Sequence, residues 1–129
     1  ELHAWAQGIL AMVPADRRVL VTSHDTLGYF VDRYDFEVVG TLMPGVTTDG
    51  EPSASDLTDL VDVVTELGVP AIFVENTTSD RLAKRIAEEA DVDVVSSLFT
   101  GSLSAKDKGA DTYITMMRTN ITAIVEALR

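Results

Sequence analysis

Arg18 to Ser23 reads RVLVTS, and this stretch decides the fold. Val19, Val21 and Thr22 are β-branched and favour a strand. The run does not alternate apolar with polar residues. A strand that is apolar nearly throughout belongs in a parallel sheet covered on both faces. The next residues are His24, Asp25 and Thr26, and either Asp25 or Thr26 suits the N-cap of a helix. That helix carries Leu27, Tyr29, Phe30 and Tyr34. Glu37 to Met43 (EVVGTLM) then reads as a second strand. Upstream, Leu2, Trp5, Ile9 and Met12 fall at helical spacing, so residues 1–13 read as the end of a helix that Pro14 stops.

The same unit recurs downstream. Residues 44–52 (PGVTTDGEP) form a Gly-, Pro- and Thr-rich loop. Ser53 or Ser55 then caps an amphipathic helix with Leu57, Leu60, Val61, Val64 and Leu67 on one face, and Gly68 ends it. Pro70 to Glu75 (PAIFVE) is a third strand. After a polar turn from Asn76, Ser79 or Asp80 caps a helix to Ala90. Asp93 to Leu98 (DVVSSL) is a fourth strand, and Thr100 to Gly109 is a loop. Ala110 to Leu128 is a long final helix, with Tyr113, Met116, Met117, Ile121, Ile124 and Leu128 on its apolar side. The expected class is α/β: a four-stranded parallel sheet with helices on both faces. Ligands in such sheets sit beyond the carboxyl ends of the strands, where the strand order reverses. By that rule Ser23-His24-Asp25, Glu75-Asn76 and Phe99 to Ser102 are the positions to watch.

Composition narrows the function. The 129 residues are 46% hydrophobic, enough for one domain with a real core. The net charge is −11 and the ten basic residues are scattered, so no basic stripe offers a nucleic-acid surface. The chain has no cysteine, which excludes thiolate metal sites and disulfides. No apolar run approaches the ~20 residues of a membrane span. Glu1 is not an initiator methionine, and the chain is expected to be a processed or excised piece of a longer protein.

Few residues carry chemistry. His24 follows a buried strand and precedes a helix, and neutral imidazole is a frequent metal ligand. Glu75 ends the third strand; it is expected to accept hydrogen bonds from the turn that follows, with metal ligation or support of a ligand as the alternative. His3 lies on the leading helix as a surface residue. Ser23, His24 and Asp25 spell a hydrolase triad, but strand neighbours point to opposite faces and no nucleophile elbow is present. No enzyme is expected. Gly28 stands alone, so no phosphate-cradling loop follows the first strand.

In order, residues 14–18 (PADRR), 19–30 (VLVTSHDTLGYF), 51–57 (EPSASDL), 71–75 (AIFVE) and 109–120 (GADTYITMMRTN) resemble the zinc- and manganese-binding solute-binding proteins of ABC transporters. The match spans nearly the whole chain. The resemblance implies a protein of two α/β lobes joined by a long helix, with the metal between the lobes. Residues 1–13 would be the end of the linking helix and residues 14–129 the C-terminal lobe. It implies an extracytoplasmic lipoprotein whose lipid anchor lies outside this chain, and as partners the missing N-terminal lobe and an ABC transporter permease. His24 falls on the family's third ligand position, with zinc or manganese as the ion. His3-Ala4-Trp5 resembles another ligand segment of the family but stands too close to Pro14 to serve. In Leu98 to Leu103 (LFTGSL), Gly101 occupies the place of the usual ligating Asp. Three consequences are open: binding through three histidines and water, replacement by Ser102, Ser104 or Asp107, or a degenerate paralogue that has lost tight metal binding, a non-transporting binding or adhesion module of the same fold. One histidine is too few to hold zinc tightly, so this lobe alone is expected to bind metal weakly or not at all.

Overall fold

The computed structural model describes residues 1–43, 53–77 and 79–129. The elements are α1 (Leu2–Leu10), a 3-10 turn (Ala15–Arg17), β1 (Val19–Thr22), α2 (Gly28–Tyr34), β2 (Glu37–Thr41), α3 (Ala54–Glu66), β3 (Ala71–Glu75), α4 (Arg81–Ala90), β4 (Asp93–Leu98) and α5 (Tyr113–Leu128). The four strands form one sheet in the order β2-β1-β3-β4, and every pairing is parallel. The expected α/β class and four-stranded parallel sheet are therefore present. The loop expected over residues 44–52 lies outside the described residues.

Strand alternation divides the core into two layers. Leu20, Ala71 and Phe73 face a cluster containing Ala6, Leu10 and Val13 from the α1 region and Ile121, Ile124, Val125 and Leu128 from α5. Val21, Ile72 and Val74 face the opposite cluster, with Leu60 and Val64 of α3 and Ala83, Ile86 and Ala87 of α4. Successive residues of β1 and β3 thus need apolar side chains on both faces, which is why RVLVTS and AIFVE lack alternation. The edge strands β2 and β4 are more exposed. On the α3 face, the backbone of Gly40 comes so close to Leu60 that a Cβ there would lie 2.6 Å from Leu60 Cδ1.

The chain runs from β1 outward to β2, then returns past β1 to β3 and on to β4. Residues of α2 pack with the α5 face, whereas α3 and α4 cover the other. Crossovers of one hand that travel in opposite directions along a sheet must lie on opposite faces. The direction reverses between β1 and β3, and ligands of such sheets sit beyond the carboxyl ends at that reversal.

The helix ends follow local chemistry. Ser53 caps α3 in a reciprocal capping box with Asp56, and Thr112 does the same for α5 with Thr115. Gly68, at φ +59°, turns the chain away after α3. Asp35 and Asp91 end α2 and α4 in the same left-handed conformation, which Asp tolerates better than most residues. Two expectations are corrected. Leu27, not Asp25 or Thr26, occupies the N-cap of α2 and gives no side-chain cap. Leu67 and Tyr113, expected on buried faces, are 51% and 63% exposed.

Candidate metal centre

The site begins with how β1 ends. Ser23 is fully buried, and its N–H donates to the carbonyl of Phe73 at 3.1 Å, which ties the end of β1 to β3. Thr22 Oγ1 donates to the carbonyl of His24 at 2.7 Å, and the Thr26 N–H donates to the same oxygen at 3.1 Å. The backbone of His24 is thereby pinned in a tight turn. α2 lacks a side-chain cap because the Thr26 hydroxyl does not accept from the first N–H groups of the helix.

That hydroxyl approaches Glu75. Glu75 Oε1 accepts from Ser23 Oγ and from Thr26 Oγ1, each at 3.5 Å. The Glu75 N–H in turn donates to Ser23 Oγ at 3.4 Å. His24 Nδ1 lies 3.3 Å from the same Oε1, with the two side chains 20% and 13% exposed. Glu75 was expected to bond the turn after β3; among the described residues its carboxylate instead faces the end of β1. A carboxylate beside Nδ1 places the ring proton there and leaves the Nε2 lone pair free.

A further row of contacts joins β3 to β4. The Asn76 N–H donates to the Leu98 carbonyl at 2.8 Å, and Asn76 Nδ2 stands 3.5 Å from Ser102 Oγ. All three stretches marked in the sequence, 23–25, 75–76 and 99–102, therefore meet at the carboxyl ends of β1, β3 and β4. Ser104 is engaged within its own loop: Oγ accepts from the Ala110 N–H and donates to the Ala105 carbonyl. The Asp107 N–H donates to Asp111, whose carboxyl is held below the ordinary range mainly by that bond. Ser102 is the loop hydroxyl drawn toward β3.

His3 is not a free surface residue. Its Nδ1 lies 3.2 Å from Tyr34 Oη and its Nε2 3.1 Å from the Arg33 guanidinium, so it bridges α1 to α2. Sequence reasoning missed Ser23 and Thr26 as partners of Glu75, and it missed Asn120. Asn120 is buried and pairs with the backbone of Phe99. The available signal was a polar residue set among Met116, Met117, Ile121 and Ile124 on an otherwise apolar helix face. Among the described residues no group of three or more His, Cys, Asp or Glu side chains converges. The donor set fits one side of a divalent-cation site and does not enclose an ion.

Residues 1–127 match the model of the family described as the periplasmic component A of a zinc-uptake complex. The chain belongs to this family. Within the zinc-uptake component family, it is 34% identical to the manganese-binding lipoprotein MntA of Bacillus subtilis, over 99% of its own length and 43% of the relative's. The periplasmic zinc-binding protein TroA of Treponema pallidum superposes with a TM-score of 0.87 at 35% identity, over 98% of this chain and 47% of that one. A manganese-bound mutant form of the periplasmic metal-binding protein from Candidatus Liberibacter asiaticus gives 0.86 at 29% identity, over 99% and 47%. The chain thus spans less than half the length of these family members. The family resemblance read from the sequence is correct, and these relatives are named for binding metal. No helix among the described residues is long and apolar enough to cross a membrane.

Proposed function

We propose that this chain is the C-terminal lobe of the substrate-binding component of an ABC importer for zinc or manganese. In this reading α1 is the end of the helix that links the lobes, and residues 14–129 are the lobe itself. The whole protein works outside the cytoplasm, tethered by a lipid, and delivers its ion to a permease. The metal is cargo, and His24 is the ligand this lobe contributes.

One observation carries the assignment. His24 stands at the reversal of strand order with Nδ1 against Glu75 Oε1 at 3.3 Å. A histidine so held presents Nε2 in one orientation and as a lone pair. Imidazole suits zinc better than it suits hard, oxygen-seeking ions, while the manganese-binding relatives keep manganese in play. With Gly101 in the following loop, the remaining coordination falls to the other lobe, to water and to Ser102. The names of the relatives favour metal capture over an adhesion module.

Calorimetry on the full-length protein with zinc and with manganese tests the reading. Tight binding of one ion, weakened at least a hundredfold by His24→Ala, is expected. Unchanged affinity in that variant removes His24 from the site. No binding of either ion by the full-length protein overturns the function.

A further inference from the structure

The side chain of Asn120 is buried in the apolar face of α5. An amide in such surroundings is costly unless both of its ends are paired. Here one residue's backbone pairs both. The Phe99 N–H donates to Asn120 Oδ1 at 2.9 Å, and Asn120 Nδ2 donates to the Phe99 carbonyl at 2.8 Å. Phe99 is the first residue past β4, an edge strand of the sheet among the described residues. The side-chain amide thus ties the chain to α5 at the point where it leaves the sheet.

The adjacent residue holds the far end of the same loop. Thr119 Oγ1 donates to the Gly109 carbonyl at 2.8 Å. One turn of α5 thus grips the loop at residues 99 and 109. Between these grips the loop meets the end of β3 through the 3.5 Å contact of Ser102 with Asn76. Thr100 Oγ1 is buried there without a hydrogen-bond partner among the described residues. The stance of residues 100–102 beside the carboxyl end of β3 therefore depends on the Phe99 pairing.

We infer that Asn120 is a positioning residue for metal binding: through Phe99 it sets where Thr100, Gly101 and Ser102 stand relative to His24. The inference rests on the reading that His24 holds the metal. A purely structural role would change stability alone, so the test needs readouts at the site. In the full-length protein, the affinities for zinc and manganese and the absorption spectrum of the cobalt(II)-loaded form are measured well below each variant's unfolding temperature. Asn120→Ala is expected to weaken binding at least tenfold and to alter the cobalt spectrum. Asn120→Asp, which keeps an acceptor for the Phe99 N–H but sets an oxygen against the Phe99 carbonyl, is expected to do the same and serves if the alanine variant fails to fold. Leu128→Ala, at a fully buried position on the same helix, is expected to lower the melting temperature and leave affinity and spectrum alone. Wild-type affinity and spectrum in the folded Asn120 variant overturn the inference, as does an equal loss in Leu128→Ala. If the Asn120 variants bind normally while His24→Ala does not, the metal site stands and only the inference falls. If His24→Ala binds as wild type, both fall.

Discussion

Glu75 gathers two hydroxyls and an imidazole onto one carboxylate oxygen, and this explains why a single histidine can matter. Removing a carboxylate that orients a metal-bound histidine costs about 10- to 100-fold in metal affinity. Glu75→Ala in the full-length protein is expected to fall in that range by calorimetry, with Glu75→Gln, which keeps an acceptor, losing less. Wild-type affinity in Glu75→Ala would detach Glu75 from the function. Gly101 allows the opposite experiment. A Cβ built there meets nothing within 4 Å, and the backbone is not in the left-handed region. Gly101→Asp is expected to tighten zinc or manganese binding at least tenfold, about 1.4 kcal/mol; no gain would place the loop too far from the ion. At this scale the sequence was only half readable. His24 drew attention by type and position, and only comparison with the family pattern put it at a ligand place and Gly101 where a carboxylate is usual. The partners of Glu75 did not, because Ser23 and Thr26 reach it across β1 and β3, 52 and 49 residues away. Asn120 entered only as part of the 109–120 motif, because its partner, the backbone of Phe99, lies 21 residues away.

Single elements show where local chemistry is enough and where it is not. β4 spans Asp93–Leu98 as its β-branched run dictates, and Ser53 caps α3 because its hydroxyl and the Asp56 carboxylate satisfy each other's backbone donors. The start of α2 misled because the residues with capping chemistry, Asp25 and Thr26, sit in the turn that serves His24. Tertiary demand overrode the local preference. The α3 cap also carries a pH dependence. The Ser53 hydroxyl, then its backbone N–H, hold the Asp56 carboxyl below its ordinary value. A lowered carboxyl favours the folded helix start above the unfolded value, about pH 4, and that support is lost as pH falls through the lowered value. An acid titration followed by NMR should show the Ser53 and Asp56 amide signals moving together below about pH 4. Independent midpoints would contradict the reciprocal cap.

The molecule as a whole was the most legible level in its class: alternating strands and helices imply a parallel sheet with helices on both faces, whereas the strand order β2-β1-β3-β4 came from the structure. Short connections and one crossover hand prune the possible orders of four parallel strands without selecting one. What the sequence could not supply was the other side of the cleft. Among the described residues the site offers too few donors to enclose an ion, so the 129-residue chain alone is expected to bind zinc more weakly than micromolar. A micromolar or tighter constant measured on this chain would contradict the shared site. Packing of α1 against α5 brings one more consequence. The guanidinium of Arg118 lies 5.0 Å over the ring of Trp5, and Trp5 is the only tryptophan in the sequence. The chain thus carries its own optical probe at a single junction: its fluorescence registers whether the first helix stays seated on the last, and is silent about everything that leaves that seam undisturbed.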